Sequence, residues 1–257
     1  VKADALVIGG GLAGMSAALC LAEQGFRANL VETEPRLGGL LNEISTITHE
    51  HCAVPAEELV KEKAQQLGVH PNVKIFTEAQ ITAIEGYIGN YRVALKVNGH
   101  QENLDISTII VATGMREIGP EGEYEQGTSR PRLTTQFELQ KWLKKNDMGD
   151  IRDVVMINCV NSKNDSRGCC NIGCHVSVNS ALAIKRLNSD IRVHILYRDL
   201  SMVKNEQTHL QAAKAMGIRF IRFADDSYPE VTEKEGQPVV RVHDILLGKT
   251  LDIPSDL

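Results

Sequence analysis

The chain has no surplus of positive charge. Its 28 Lys and Arg residues are outnumbered by 33 Asp and Glu, for a net charge of -5. The electrostatic footprint of a nucleic-acid binder is therefore missing. It has no clear membrane helix either. The one uncharged run, residues 5–22, is nearly long enough to span a bilayer. The triplet Gly9-Gly10-Gly11 inside it implies a turn instead. No basic segment precedes that run, which argues against a secretory signal. There is no internal repeat, no low-complexity tract and no C-x-x-C pair. The chain has six cysteines, and four of them crowd into residues 158–175. Such crowding fits metal binding in a reducing cytoplasm better than a disulfide framework. A length of 257 residues allows one large core or two modest ones.

Ala5-Leu6-Val7-Ile8 reads as a buried strand. It is followed by Gly9-Gly10-Gly11-Leu12-Ala13-Gly14, which fits G-x-G-x-x-G at Gly9, Gly11 and Gly14. A helical pattern runs over residues 15–24 to Gly25, and a second strand over 27–31 ends at Glu32. Strand, glycines, helix, strand and terminal acid stand in the order of a dinucleotide-binding unit. Each glycine has a physical task. Gly9 lets the chain turn, Gly11 admits a pyrophosphate to backbone N–H groups, and Gly14 lets helix and strand pack closely. Glu32 is expected to accept hydrogen bonds from ribose hydroxyls, and its charge disfavours NADP.

Thr46 to Cys52 reads as a loop in which His49, His51 and Cys52 are more plausibly solvated than ligating. Residues 55–66 form an amphipathic helix pattern. Residues 73–77 and 79–85 read as strands, and Asn98-Gly99 marks a hairpin. A small antiparallel meander is thus expected to interrupt the parallel sheet, which residues 106–112 rejoin. Residues 115–132, rich in Gly, Glu, Pro and Arg, have no period and form the best linker. Thr135-Gln136-Phe137-Glu138 is a capping box. Strands are expected from Asp153, over 192–197 and over 218–223, with helices over 176–187 and 206–216; a β pattern follows over 239–243 and 250–253. The fold class expected is α/β. A doubly wound parallel-sheet domain with the meander would occupy residues 1–125, and a second Rossmann-like domain residues 126–257.

The second unit departs from a dinucleotide fold at its first turn. After the strand Asp153-Val154-Val155-Met156-Ile157 come Asn158-Cys159-Val160-Asn161, then Gly168-Cys169-Cys170-Asn171-Ile172-Gly173-Cys174-His175 and a helix. Thiols stand where phosphate-cradling glycines would, so no dinucleotide is expected there. The loop is expected to hold an iron–sulfur cluster. Cys170 and Cys174 are four apart and would share a face of a forming helical turn. Inert packing of four thiols in one turn is the less plausible reading.

These residues resemble a known class. The acid followed by Gly38-Gly39-Leu40, with Thr33 after Glu32, is similar to two-dinucleotide-binding flavoproteins, where the glycine pair lies along FAD. Ala112-Thr113-Gly114 resembles the motif that closes the FAD half there. The chain more specifically resembles the A-subunit of heterodisulfide reductase and its relatives. The resemblance rests on Gly9–Gly14, on His70-Pro71-Asn72 through Glu85-Gly86-Tyr87-Ile88-Gly89-Asn90-Tyr91, on the cysteine loop, and on Tyr197-Arg198-Asp199-Leu200 with Lys204 after it. It implies FAD along the first unit and a [4Fe-4S] cluster in the second, with Lys204 near the flavin ring. The family pattern maps onto Cys159, Cys170 and Cys174; the fourth ligand is open between His175, which occupies the family's position, and Cys169, with His175 slightly preferred. The family's ferredoxin-like insertion has no counterpart after Asn98, and the chain stops before the late return to the FAD domain, so it is expected to be a fragment or to be completed by another polypeptide. The resemblance implies an electron-transfer role within a complex, with other heterodisulfide reductase-like subunits and ferredoxin- or hydrogenase-type modules as partners. Two other functions are open: an NAD(P)H-dependent disulfide reductase, and a scaffold subunit binding zinc, which accepts mixed Cys/His sets.

Overall fold

The computed structural model describes residues 4–49, 52–120, 124, 133–146, 148–161, 168–202, 207–235 and 237–257. It divides into two compact units, Val1–Arg116 and Glu117–Leu257.

The first unit is built on β1 (Asp4–Ile8), α1 (Leu12–Glu23) and β2 (Arg27–Val31). β1 and β2 pair in parallel, with Ile8 opposite Val31. β3 (Thr46–His49) and β4 (Cys52–Pro55) follow, then α2 (Ala56–Val69) and β5 (Val73–Phe76). β6 (Ala79–Tyr87), β7 (Asn90–Val97) and β8 (His100–Ile106) form the antiparallel meander, and β9 (Thr108–Val111) returns to the main sheet. That sheet has the order β5-β2-β1-β9, parallel throughout. Leu6 and Val7 are fully buried on opposite faces of β1. That explains why β1 is apolar without alternation: a parallel strand covered on both sides buries successive side chains alike. Val7 packs with Met15, Ala18 and Leu30; Leu6 packs with Phe76, Val93 and Leu95. Asn98 and Gly99 both take positive φ at the β7–β8 turn, as a tight hairpin requires.

The expected loop over 46–52 is instead part of a hairpin, β3 pairing with β4. The three consecutive β-branched residues Thr46-Ile47-Thr48 explain it, and Ile47 packs against the core of α1 and α2. His51 lies outside the described residues.

The second unit contains α3 (Gln136–Lys144), β10 (Asp153–Ile157), α4 (Gly173–Leu187), β11 (Arg192–Tyr197), α5 (Gln207–Ala215) and β12 (Arg219–Arg222). The strands form a parallel sheet of order β10-β11-β12. An antiparallel sheet of β13 (Glu230–Lys234), β14 (Gln237–Asp244) and β15 (Lys249–Pro254) follows. β13 escapes a reading of the sequence because its Glu-Val-Thr-Glu-Lys composition is mostly polar, as suits an edge strand. Thr135 caps α3 through the expected capping box with Glu138, worth about 0.5–2 kcal/mol. The second core gathers Leu139, Val154, Val178, Ile184, Val193 and Ile195.

The division between units falls earlier than the expected 125/126. Residues after 116 are tied into the second unit: Glu117 Oε1 accepts the Phe137 N–H, Gly119 O accepts from Asn161, and Tyr124 donates its hydroxyl to Pro229 O.

Candidate functional site

In the first unit the glycine loop joins the end of β1 to α1. Gly9 has a φ of 105° and its backbone packs on the segment after β9: an added Cβ would stand 2.3 Å from Ala112 O. Only glycine satisfies both conditions. At Gly14 an added Cβ would reach 1.8 Å from Gly9 O, so the helix start and the turn are in backbone contact. At Gly11 an added Cβ would meet nothing within 4 Å. The loop is thus packed tight at Gly9 and Gly14 and open at Gly11, where a pyrophosphate would approach the helix N-terminus.

Glu32 is buried at the end of β2. Its Oε2 accepts the Gly10 N–H at 2.7 Å, and its Oε1 accepts the Glu34 N–H at 2.9 Å and the Thr33 hydroxyl at 3.1 Å. The carboxylate shapes the loop, and each oxygen retains acceptor capacity for a ribose hydroxyl. Gly38 donates its N–H to Gly10 O at 2.8 Å and bridges to Gly11; Gly39 would place a Cβ 3.2 Å from the Gly11 Cα. Leu40 follows in a short 3-10 helix, Gly39–Asn42. Ala112 donates to Ile8 O, and Thr113 and Gly114 come next. Leu12 and Ala13 lie at the helix start, and Gly38, Gly39 and Ala112 meet the same turn. The open space over Gly11, a helix N-terminus and a carboxylate beside them fit the pyrophosphate and ribose of FAD.

In the second unit the cysteine loop joins β10 to α4. Cys159 follows the strand with a φ of 67°. Asn158 Oδ1 accepts the Ser177 hydroxyl at 2.6 Å, pinning the strand end to α4. The helix begins only at Gly173. Cys170 therefore stands ahead of it and does not share a helical face with Cys174; its Sγ accepts the Gly173 N–H at 3.3 Å. Cys169 Sγ accepts the Asn171 N–H at 3.4 Å. Both sulfurs are thus bonded to backbone donors just ahead of α4.

Cys174 is buried, Cys159 half-buried, and Cys169 and Cys170 are exposed. Burial pushes the Cys159 thiol up, opposed by a hydrogen bond from Arg198; charge on Cys170 and Cys169 pushes it further. Burial likewise pushes Cys174 up, opposed by the Ser201 backbone, with Cys159, Cys169 and Cys170 all contributing. Cys174 therefore feels the other three thiols, and Cys159 feels Cys169 and Cys170. Cys174 also donates its thiol to Asp199 O at 3.5 Å. Arg198, Asp199 and Ser201 follow β11 and form a second wall of the loop, which a reading confined to the cysteines misses.

Among the described residues no three His, Cys, Asp or Glu side chains stand at metal-ligating geometry. The loop does bring four thiols of the right chemical type into one turn, two of them exposed. His175 faces elsewhere. Its Nε2 accepts from the Asn179 amide at 2.9 Å, and its ring stacks on His209 with centroids 6.3 Å apart. Lys204 lies outside the described residues. Among them, no helix is long and apolar enough to cross a membrane.

Residues 3–223 match the profile described as pyridine nucleotide-disulphide oxidoreductase. The whole chain is similar to a protein of Methanopyrus kandleri named as an iron-sulfur A-subunit of CoB--CoM heterodisulfide reductase, 26% identical and covering 53% of that protein. It matches the corresponding A-subunit of Methanocaldococcus jannaschii at the same identity and coverage. The chain spans about half the length of the curated relatives it matches. Among solved structures, thioredoxin reductase of Lactococcus lactis superposes with a TM-score of 0.60 at 22% identity, over 99% of this chain and 75% of that one. Thioredoxin reductase of T. acidophilum gives 0.59 at 18% identity, over the same shares. These two likenesses bear out the two-domain Rossmann architecture expected from the sequence.

Proposed function

The chain belongs to the pyridine nucleotide-disulphide oxidoreductase family, and from that premise we propose that it is an electron-transfer flavoprotein unit of a heterodisulfide reductase-like complex. FAD binds the Gly9–Gly14 turn, and Cys159, Cys170 and Cys174 with a fourth ligand bind a [4Fe-4S] cluster in the second unit. When bound, the flavin takes up electrons in pairs and the cluster passes them singly, so that a two-electron donor feeds one-electron partners. The partners are other subunits of such a complex and ferredoxin- or hydrogenase-type modules.

The chain's own residues have separable tasks. Gly10 to Gly14 and the α1 N-terminus bind the pyrophosphate. Glu32 orients the loop and the adenosine ribose. The N–H groups of Asn171 and Gly173 hold the Cys169 and Cys170 sulfurs in place. The observation that carries the reading is the crowding of four cysteines into residues 158–175, the turn where a second dinucleotide loop would need glycines. The naming of both relatives as iron-sulfur subunits supports it.

The sequence has no C-x-x-C pair, which weighs against a thiol–disulfide reductase built on that motif. Metal and flavin analysis of the full-length protein, purified anaerobically, tests the reading. Bound FAD with about four iron per chain at this loop, on top of any other clusters, is the expected result; the loop's own share is the iron lost on Cys159→Ala. Zinc in place of iron, or no iron attributable to the loop after anaerobic reconstitution, overturns it.

A further inference from the structure

Two consecutive glycines, Gly38 and Gly39, run beside the phosphate turn in left-handed backbone, with φ of 116° and 50°. Gly38 donates its N–H to Gly10 O at 2.8 Å. A Cβ on Gly39 would stand 3.2 Å from the Gly11 Cα. The path of this pair therefore bounds the turn whose backbone lies open at Gly11. Glycine loses more conformational freedom on ordering than any other residue. Two in succession hold such a path only where the fold clamps them.

Asn42 is placed as that clamp. It ends the 3-10 helix Gly39–Asn42. Its Nδ2 reaches back five residues and donates to Leu37 O at 3.1 Å, closing a ring around Gly38. A Cβ on Gly38 would stand 2.8 Å from Asn42 Nδ2 and 2.9 Å from its Oδ1. The amide thus fills the space that a side chain at Gly38 would take. Leu41 donates its N–H to Gly38 O at 3.0 Å. Leu37 and Leu41, on either side of the glycine pair, are buried in one cluster with Ala56 and Val60 of α2. Apolar packing fixes the two ends of the strap, and the Asn42 amide fixes its middle.

We propose that Asn42 is a positioning residue for the FAD pyrophosphate: by tying Leu37 to the end of the 3-10 helix, it holds Gly38 and Gly39 in the path that keeps the Gly10–Gly11 turn open. The inference rests on the FAD reading above. It adds a residue that belongs neither to the glycine spacing nor to the acid at the end of β2. Without the clamp the turn is open in only a fraction of molecules, and the apparent affinity falls by that fraction. The loss then lies in association, because the complex once formed keeps its contacts.

The test uses full-length protein depleted of FAD. Stopped-flow flavin fluorescence follows FAD, and calorimetry follows ADP, which carries the same adenosine and two phosphates. Asn42→Leu keeps the size of the side chain without the amide; Asn42→Gln keeps an amide donor. Asn42→Leu is expected to bind both ligands about fivefold to tenfold more weakly, the factor of one neutral hydrogen bond. FAD should associate more slowly and dissociate at a rate within about twofold of the wild type. The melting midpoint of the FAD-free variant should shift by no more than about 4 °C, and Asn42→Gln should recover most of the lost affinity. Unchanged FAD affinity in Asn42→Leu overturns the proposal and leaves the FAD reading standing. So does a loss carried by faster dissociation, or a loss for FAD without one for ADP, either of which makes Asn42 a ligand contact. A variant that melts much lower or does not fold makes Asn42 a packing residue, and Asn42→Gln as weak as Asn42→Leu removes the amide as the cause; both overturn the proposal. A wild type that binds neither FAD nor ADP overturns the FAD reading as well.

Discussion

Gly10 donates its backbone N–H to Glu32 Oε2 across 2.7 Å, between residues 22 apart in the chain. The acid at the end of β2 thus holds the turn after β1 in shape before any ligand arrives. A hydrogen bond to a charged group is worth about 1.5–3 kcal/mol. Glu32→Ala should therefore weaken FAD binding about tenfold to about a hundredfold, with Glu32→Gln between the two. Quenching of flavin fluorescence on titration into FAD-depleted protein measures it. Unaltered affinity in Glu32→Ala would remove Glu32 from the site.

Gly11 and Gly14 should respond in opposite ways to a side chain. A Cβ at Gly14 collides with Gly9 O at 1.8 Å, whereas one at Gly11 meets nothing within 4 Å. Gly14→Val should destabilise the first unit by about 3 kcal/mol or more, because backbone must move. Gly11→Val should fold normally yet lose FAD, because it fills the space the pyrophosphate needs. Circular dichroism melts combined with flavin content separate the two. A flavin-loaded Gly11→Val protein would be fatal to the placement.

The contrast shows what the sequence makes legible. Glycine spacing, an acid after the second strand and two buried β-branched runs reveal the turn, because each reflects a local backbone demand. The capping box at Thr135 and Glu138 is local too. What the sequence hides is tertiary. Nothing near Cys174 in the chain points to the Asp199 carbonyl that accepts its thiol, 25 positions away in the sequence, and the polar β13 carries no strand signature. The spacing of Cys170 and Cys174 suggests one helical face, yet α4 starts at Gly173, with the Cys170 sulfur serving as acceptor at its N-terminus.

His194 gives the second unit a pH dependence. It is buried on β11, paired between Val155 and Arg219, and its Nδ1 has no hydrogen-bond partner among the described residues. Burial lowers its pKa, aided by Arg219 and Arg192 and opposed by Asp153. The folded state therefore favours the neutral ring. Above the unfolded value of about 6.5 both states are neutral and nothing is lost. As pH falls below it, the unfolded chain binds a proton that the folded chain resists, so stability drops. Denaturation followed by Trp142, the chain's one tryptophan, reports this unit, since that ring packs on its core. Stability should decline below pH of about 6.5, and His194→Leu should flatten the decline. An equal slope in both proteins refutes it.

The fourth cluster ligand can be argued from where two side chains already point. Sequence alone slightly prefers His175, at the position the family pattern assigns. In the fold it sits one residue past Cys174 on α4, which turns it about 100° around the helix. Its Nε2 accepts from Asn179, whose Oδ1 accepts from His209 Nδ1 at 3.0 Å. The two imidazoles stack at an interplanar angle of 14°, so His175 belongs to the seam between α4 and α5. Cys169 is exposed, next to Cys170, and its charge acts on both Cys159 and Cys174. Cys169 should therefore be the fourth ligand. Cys169→Ala should lose most of the loop's iron and its EPR signal after anaerobic reconstitution. His175→Ala should keep both and lose some stability of the second unit, because the stack and one hydrogen bond are gone. The reverse pattern would restore His175 as the ligand. An intact cluster in Cys159→Ala would show that the loop does not hold it.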